Sequence, residues 1–395
     1  MDNLKIFIWN PSIEHLQYYL WLALRSLVEE PVTFVLGSSE NKIRRAQDWK
    51  QVDLQELDPI LIPPQELLST GIELLRQNSD AIHIFQAFRG AEGYNYFPLI
   101  LFALSRGMKV VVLDEAYTTS PVGYFRDENP LKAHLKTWVR PRLRRFIGVA
   151  INRFPNKPCI MPLSIIAKQQ FIDAGFTPKT LFPFGYFVPK QQCSCDSHIS
   201  SNTLRLIFVG ALIYRKGYDI LVEAVRELCE QGFRITLDIY GSGDSQKVNS
   251  SNPTIRYKGT LPFDQIQGAI VEHDILVLPS RHDGWGVVVN EALLQGVPVI
   301  VSNRVGAKQL IEASGAGLIF ESENVHDLAE KIKMIINKPE FLDELKSKAS
   351  EINQWILPEK GAQYFLEVLK YYFYQFGSKP SAIWCDKPDQ GLGYE

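Results

Sequence analysis

Cysteine is scarce in this chain, and its few positions exclude two common kinds of site. The 395 residues contain five cysteines, at positions 159, 193, 195, 229 and 385, with no C-x2-C pair. An odd number without a matching histidine cluster fits neither a disulfide framework nor a structural zinc site. Cys193 and Cys195 lie in a polar segment, so we interpret them as structural or incidental.

A charge imbalance and long apolar runs are also missing. The formal net charge is -2, whereas general nucleic-acid binders carry a basic excess that neutralises phosphates. No stretch reaches the roughly 18 apolar residues of a membrane-spanning helix, and residues 3–9 are too few for a signal peptide. We therefore expect a soluble, cytoplasmic protein that binds no nucleic acid and makes at most a peripheral contact with a membrane.

Two motifs of other enzyme classes are absent. The turn after the first predicted strand, Asn10 to His15, lacks the G-x-G-x-x-G of a dinucleotide site, which argues against an NAD or FAD enzyme. No Asp-x-Asp stands at a place suited to bridging a nucleotide and a metal ion. The sequence thus predicts neither a cofactor nor a metal site.

The hydrophobic pattern that is present predicts two α/β domains. A βαβ opening at residues 4–36 and a second series from residue 204 flank the polar segment 189–202, which we interpret as a linker. The chain length and its 46% hydrophobic residues suit two domains of ordinary size. We place the domains at 1–189 and 203–357, and expect a helix at 162–175 and a last strand at 180–186 to close the first one.

One segment, Pro279 to Pro298, combines two carboxylates with a strand end and a helix start. The aliphatic run 275–278 predicts a buried strand, and residues 290–295 predict a helix. Asp283 therefore lies in the loop beyond the strand, and Glu291 lies on the first turns of the helix. Ligands bind at this edge of an open α/β sheet, where helix N-termini also favour phosphate.

Cations and glycines follow two other predicted strands. Arg215 and Lys216 come after the strand at 204–209, and such a pair can hold an anion. Glycine lets the backbone approach a ligand closely. Gly210 and Gly217 follow the strand at 204–209, and Gly241 and Gly243 follow the predicted strand at 234–240.

These segments resemble the E-x7-E signature of the family 4 (group 1) retaining glycosyltransferases. The likeness includes the Gly-Trp-Gly between the acids, Asn290-Glu291-Ala292 and the R-K-G element at 215–217, with Asp283 in place of the commoner Glu. The resemblance implies the α/β GT-B architecture, in which two Rossmann-like domains with parallel sheets face each other. It also implies that a last helix, at 358–376, crosses back to the first domain, and we expect 377–395 to be a loose tail.

The resemblance further implies roles for the site residues. Arg215 and Lys216 would hold the donor diphosphate, Asp283 the hydroxyls of the donor sugar, and Glu291 the ribose hydroxyls. The first domain would bind the acceptor and the second the donor. The implied lining of the donor pocket is Gly210, Gly217, Gly241, Gly243, Gly284, Trp285, Gly286 and Val287.

The implied reaction moves a hexose, with retention, from a UDP- or GDP-sugar to a hydroxyl group, and the missing Asp-x-Asp predicts that it needs no metal ion. The acceptor would be a glycan or a lipid-linked molecule in cell-surface polysaccharide or glycolipid synthesis. Two alternatives are a nucleotide-sugar epimerase of the same fold and a catalytically silent sugar-binding relative.

The first domain offers weaker candidates for the acceptor side. Many relatives carry a histidine near the end of the strand at 109–113, where this chain has Asp114 and Glu115. Either carboxylate could bind an acceptor hydroxyl or cap the following loop. His15 could face the same cleft or simply be packed or solvated.

The stretch from Lys132 to Arg145 is a local exception to neutrality. It carries six cations and no acid, with apolar residues, including Trp138, at helical spacing. This pattern predicts either a contact with an anionic membrane surface or a helix packed on its own domain with solvated arginines. Pro141 would kink such a helix.

Overall fold

Two six-stranded parallel sheets form the core of the molecule. The computed structural model describes residues 4–38, 54, 56–90, 94–119, 129–193, 203–243, 253–382 and 384. Numbered along the chain, the strands follow the order β3-β2-β1-β4-β5-β6 in the first sheet and β12-β11-β10-β7-β8-β9 in the second. This confirms the predicted α/β class with two Rossmann-like halves.

The first domain begins at β1 and ends with the segment that follows α5. Its elements are β1 (Ile6–Asn10), α1 (His15–Ser26), β2 (Val32–Leu36), β3 (Ile60–Leu61), α2 (Leu67–Gln77), β4 (Ile82–Gln86), α3 (Phe97–Ser105), β5 (Lys109–Glu115), α4 (Pro130–Asn152), β6 (Cys159–Leu163) and α5 (Ile165–Asp173).

The second domain repeats the same alternation of strand and helix. Its elements are β7 (Leu204–Val209), α6 (Tyr218–Glu230), β8 (Ile235–Tyr240), β9 (Ile255–Tyr257), α7 (Ile266–Val271), β10 (Ile275–Leu278), α8 (Val288–Leu294), β11 (Val299–Ser302), α9 (Lys308–Ser314), β12 (Gly317–Phe320), α10 (Val325–Ile336) and α11 (Pro339–Ile352), and the helix α12 (Pro358–Tyr374) follows. Strands β10 and β11 are buried along their whole length, as expected for a sheet with helices on both faces.

The prediction for the end of the first domain was wrong in one respect. The strand that pairs with β5 is β6, whereas residues 180–186 form only isolated bridges, Ile160 with Leu181 and Leu163 with Phe184. Pro162 lies inside β6, where its sequence signal favours a helix start. A proline is tolerated there because β6 is the last full strand of its sheet.

The helix α12 returns to the first domain, as the GT-B architecture implies. Phe365 packs edge-on against Trp21 of α1, with ring centroids 5.6 Å apart. The Tyr372 hydroxyl donates a hydrogen bond to the Lys157 carbonyl at 3.1 Å. The last helix therefore completes the hydrophobic core of a domain whose other elements lie far earlier in the sequence.

The expectation of a loose tail needs a correction. Ala382 is buried, and the Trp384 ring lies 5.9 Å from the Trp285 ring. Apolar side chains attach this part of the tail to the body of the protein, because both residues pack into the hydrophobic clusters. Residues 383 and 385–395, like 194–202 of the predicted linker, lie outside the described residues.

Candidate active site

Asp283 and two cations meet beyond the ends of β7 and β10. Lys216 Nζ lies 2.6 Å from Asp283 Oδ2, and an Arg215 guanidinium nitrogen lies 3.8 Å from Asp283 Oδ1. The Arg215 side chain also donates to the His282 carbonyl at 2.9 Å. Burial alone would raise the pKa of Asp283, but Lys216 and Arg215 outweigh it, so the pKa lies below its ordinary value. The structure thus places three of the predicted site residues in one charged cluster.

The predicted glycines allow the surrounding loops to touch. Gly217 has a φ of +67°, and a Cβ atom there would overlap the Pro279 carbonyl. A Cβ atom at Gly241 would overlap the carbonyl of Gly210 in the same way. Such close approaches of two backbones require glycine. The ends of β7, β8 and β10 are therefore drawn together around the charged cluster.

Glu291 lies on α8 and is almost completely enclosed. The residue is 3% exposed, and its Oε1 atom has no hydrogen-bond partner among the described residues. Burial raises the pKa of Glu291 to about 8. An isolated buried carboxyl of this kind is costly for the fold unless a ligand supplies hydrogen bonds, so Glu291 is a strong candidate for contact with bound hydroxyls.

Trp285 does not project toward the charged cluster. Its ring packs against Gly185, where a Cβ atom would overlap it, and its Nε1 donates to Asn290 Oδ1 at 2.7 Å. Asn290 in turn donates to the Tyr186 carbonyl at 2.9 Å. Trp285, which was predicted to line the donor pocket, therefore packs the loop of Asp283 against segment 181–189. Val287 stands half-buried at the start of α8, and Gly286 has a φ of +96°.

Glu115 is the side chain of the first domain that approaches the cluster. Its Oε2 atom would lie 2.6 Å from a Cβ atom at Gly284, so the carboxylate rests directly on the loop of Asp283. The Tyr186 hydroxyl donates a hydrogen bond to Glu115 Oε1. Among the predicted acceptor-side residues, the structure brings Glu115 to the donor loop.

The other two candidates of the first domain have different surroundings. Asp114 Oδ2 accepts a hydrogen bond from Arg144 at 3.1 Å, so this carboxylate belongs to an ion pair inside its own domain. The His15 ring stacks on Phe263 of the second domain, with centroids 4.6 Å apart. Asp114 therefore faces an arginine of its own domain, and His15 contributes to the contact between domains.

The two domains touch directly around this site. The ring of His282 is hydrogen-bonded to the Ala116 backbone, and burial lowers its pKa to about 4. At the start of α5, the Ile165 amide donates to Gln309 Oε1 of α9 at 2.7 Å. These contacts bring the end of β5 against the loop of Asp283, so that groups from both halves can face one ligand.

Sequence reasoning missed Tyr186 and His282. Tyr186 stands in an aromatic segment without any motif, and His282 occupies a position between Arg281 and Asp283 that the resemblance leaves unassigned. The importance of both residues depends on tertiary proximity across the domain boundary. No local signal could have identified them.

The basic helix α4 is continuous through Pro141 and has two different faces. Arg144 points inward, where it pairs with Asp114 and lies over the Phe171 ring at 4.3 Å. Arg144 therefore fits neither expectation for this segment, because it is largely withdrawn both from solvent and from any membrane surface. The large apolar side chains exposed on this helix are Leu131, Leu135, Trp138, Val139, Phe146 and Val149.

The described part of the chain contains neither a membrane-spanning helix nor a cluster of metal ligands. No helix there combines the length and the apolar composition needed to cross a bilayer. No group of three or more His, Cys, Asp or Glu side chains there is arranged to hold a metal ion.

Comparisons with known proteins identify a related family and a shared fold. Residues 195–352 match the family described as glycosyl transferases group 1. An uncharacterized glycosyltransferase of Methanocaldococcus jannaschii is 30% identical over 156 residues, which are 39% of this chain and 44% of that protein. An uncharacterized 41.2 kDa protein in the cps region of Klebsiella pneumoniae is 24% identical over 268 residues, or 66% of this chain and 70% of that protein.

A solved structure resembles the chain along nearly its whole length. The crystal structure of HepE from Anabaena in complex with UDP has a TM-score of 0.68 and 16% sequence identity, and covers 93% of this chain and 100% of that one. The same protein is also known in complex with UDP-glucose. At this identity the likeness establishes the fold, which is GT-B.

Proposed function

We propose that this chain, whose residues 195–352 belong to the group 1 glycosyltransferases, transfers a sugar from a nucleotide-sugar to a hydroxyl group. The observation that carries the proposal is the cluster of Lys216, Arg215 and Asp283, with the enclosed Glu291 on the adjacent helix. In this proposal the second domain binds the donor and the first domain binds the acceptor.

Each residue of the cluster has a chemical task. Breaking the bond between the anomeric carbon and the diphosphate leaves negative charge on oxygen, which fixed cations stabilise. Arg215 and Lys216 would supply that charge, Asp283 would accept hydrogen bonds from the donor sugar, and Glu291 would accept them from the ribose. Because Lys216 contacts Asp283 directly, one contact would join diphosphate recognition to sugar recognition.

The donor is proposed to be a UDP- or GDP-linked hexose. The fold neighbour HepE was crystallised with UDP and with UDP-glucose, and this favours UDP as the first nucleotide to test. A ligand that binds only the folded state raises the melting temperature by mass action. We expect UDP or GDP, but not ADP, to raise the Tm, and a chain that responds to none of the three would contradict the proposal.

Product analysis separates the alternatives. We expect incubation with UDP- and GDP-sugars to release free nucleotide diphosphate and to glycosylate an added acceptor. An epimerase would release sugar isomers without transfer, and a silent relative would bind nucleotide without turnover. NMR of the new glycosidic bond would show whether the anomeric configuration is kept.

Retention and metal independence follow from one proposed step. The acceptor hydroxyl attacks the anomeric carbon from the face that the diphosphate leaves, and its proton passes to the departing diphosphate oxygen. Arg215 and Lys216 then balance the charge that a metal ion would otherwise balance. Activity that survives EDTA would support this step, and its loss, with recovery on adding Mg²⁺, would contradict it.

The acceptor is proposed to be a glycan or a lipid-linked molecule at the cytoplasmic face of a membrane. The outward face of α4 combines exposed Leu131, Leu135, Trp138 and Phe146 with the exposed cations Lys132, Arg142 and Arg145. Exposed aromatic and aliphatic side chains beside cations favour contact with an anionic lipid surface. The similarity to a protein of a cps region supports a role in cell-surface polysaccharide synthesis.

A further inference from the structure

We propose that Glu115 binds the incoming acceptor hydroxyl and that Tyr186 is the positioning residue that fixes its carboxylate. This inference rests on the proposed sugar transfer and adds the residue that orients the nucleophile.

The position of Glu115 supports this role. It is the last residue of β5 and opens to the space between the domains. Its Oε2 atom rests on Gly284, next to Asp283, which is proposed to hold the donor sugar. Arg215 and Asp283 both act electrostatically on the Glu115 carboxyl group. A hydroxyl group bound at Oε2 would therefore lie beside the sugar and the leaving diphosphate.

Tyr186 fixes the other oxygen of the Glu115 carboxylate, Oε1. Its hydroxyl donates to Glu115 Oε1 and is also hydrogen-bonded to the side chain of Gln17. Gln17 Oε1 accepts from Asn10 Nδ2 at 2.8 Å, and Asn10 is buried at the end of β1. Three elements of the first domain thus fix one oxygen of Glu115, which leaves Oε2 toward the loop of Asp283.

Tyr186 also reaches the donor side. Its backbone carbonyl accepts a hydrogen bond from Asn290, the residue directly before Glu291 on α8. The same residue therefore positions Glu115 through its hydroxyl and contacts the donor helix through its carbonyl. Acceptor and donor groups are held at a fixed separation, which is the condition for efficient reaction between two bound partners.

The neighbouring carboxylate cannot take this role. Asp114 is paired with Arg144, whose guanidinium also donates to the Glu115 carbonyl at 3.2 Å. Successive side chains of a strand point to opposite faces of the sheet, so Asp114 and Glu115 cannot both face the donor loop. His15 is likewise engaged, since it stacks on Phe263.

The proposed chemistry requires no proton transfer to Glu115. The acceptor hydroxyl donates its hydrogen bond to Oε2, and this contact directs an oxygen lone pair to the anomeric carbon. As the new C–O bond forms and the bond to the diphosphate breaks, this O–H turns from Oε2 to the leaving oxygen, which takes the proton. Glu115 must be ionised throughout, because a protonated carboxyl is a poorer acceptor of the hydrogen bond.

Because Glu115 must be ionised, the rate of sugar transfer should depend on pH. Desolvation raises the pKa of Glu115, Tyr186 lowers it through the hydrogen bond, Asp283 and Asp114 raise it, and Arg215 lowers it. Transfer should therefore fall as the pH drops through this pKa. Removing the Tyr186 hydroxyl should raise the pKa further and move the acidic limb of the profile to higher pH.

The experiment compares Glu115→Gln, Tyr186→Phe and the matched neighbour Asp114→Asn. UDP binding is measured by calorimetry, and turnover of UDP-glucose is measured with water and with octyl glucoside as acceptors. We expect Glu115→Gln to lower turnover with both acceptors by about tenfold or more while UDP binds as in wild type. We expect Tyr186→Phe to shift the acidic limb to higher pH, and Asp114→Asn, which removes a charge that raises the pKa of Glu115, to shift it in the opposite direction.

Two results would overturn the inference. In the first, Glu115→Gln turns over like wild type, so that Glu115 does not bind the acceptor. In the second, Glu115→Gln weakens UDP binding as much as it lowers turnover, so that it acts on the donor. A wild-type protein that neither binds UDP or GDP nor turns over their sugars would instead contradict the proposed function.

Discussion

Lys216 Nζ lies 2.6 Å from Asp283 Oδ2, so the cation assigned to the donor diphosphate is also the main partner of a buried carboxylate. In Lys216→Ala, Asp283 would keep the more distant Arg215, at 3.8 Å, and the hydrogen bond from the Ser280 hydroxyl, at 3.4 Å. Removing one partner of a buried pair costs roughly 3–5 kcal/mol of stability. We therefore expect Lys216→Ala to unfold at lower urea concentration, and its turnover to fall by about tenfold or more, equivalent to about 1.4 kcal/mol.

A double substitution separates these two effects. Lys216→Ala combined with Asp283→Asn removes both charges, so most of the lost stability should return while turnover stays low. If the double variant regains wild-type turnover, or if Lys216→Ala alone keeps it, Lys216 does not act on the donor.

The enclosed carboxyl of Glu291 should make stability depend on pH. Its pKa is raised from an ordinary value of 4.5 to about 8 in the folded protein. The unfolded chain loses this proton first, so the contribution of Glu291 is fully present below about pH 4.5 and is lost as the pH rises toward 8. We expect the free energy of unfolding in urea to decline over this range in wild type, and less steeply in Glu291→Gln. Parallel curves for the two proteins would contradict this account.

Binding of a nucleotide should release the same proton. Ribose hydroxyls that donate to the carboxylate favour its ionised form. Calorimetry of UDP binding at pH 7 in two buffers with different ionisation enthalpies should therefore detect proton release by wild type. The release should disappear in Glu291→Gln, and an unchanged value would place the ribose elsewhere.

The close approach at Gly217 can be tested against a matched glycine. Gly217 and Gly232 both have positive φ, of +67° and +89°, but only at Gly217 would a Cβ atom meet another backbone, that of Pro279. At either position, an alanine in the left-handed conformation lowers the free energy of unfolding by roughly 1–2 kcal/mol. Gly217→Ala should therefore lower the urea midpoint more than Gly232→Ala and also weaken UDP binding. Equal midpoints would show that the two loops do not touch.

The outward face of α4 leads to a test with vesicles. Trp138 is 55% exposed and lies under the guanidinium of Arg142, while Trp355 in the other half is 37% exposed and has Lys360 over its ring. Trp138→Ser should reduce sedimentation with anionic vesicles, and Trp355→Ser should not. Charge reversal at Lys132 and Arg145 should act like Trp138→Ser.

Salt and lipid charge provide the controls. Binding should weaken as ionic strength rises and should be lost on neutral vesicles, because the cations of α4 contribute through screened electrostatics. Equal sedimentation of wild type, Trp138→Ser and the charge-reversed variant would contradict a membrane role for this face.

The second domain could be predicted closely because its signals are local. Aliphatic runs that end before a glycine or a proline fixed the bounds of β7 and β10, which agree with the structure residue for residue. The two-residue strand β3 is too short to leave a pattern, and Pro162 concealed β6. Boundaries therefore failed where the element was short or contained an atypical residue.

The composition of the site was less accessible than the fold. Asp114 and Glu115 are chemically similar neighbours, and which one faces the donor loop depends on the register of β5 in the sheet, a tertiary property. Trp285 was assigned from its place in a motif, but its large ring is buried against the segment that connects the domains. Residue type and spacing therefore indicated the location of the candidate site. The direction of each side chain depends on the folded structure and could not be predicted.

The position of α12 has a consequence for synthesis of the protein. Ala362, Phe365 and Leu369 fill the core of a domain whose remaining elements emerge from the ribosome much earlier. Until the last turns of α12 are translated, α1 exposes the apolar surface that Phe365 covers. The first domain therefore cannot complete its core before the final helix is synthesised. During this interval chaperones would bind the exposed apolar surface, and a truncated product that lacks α12 would aggregate.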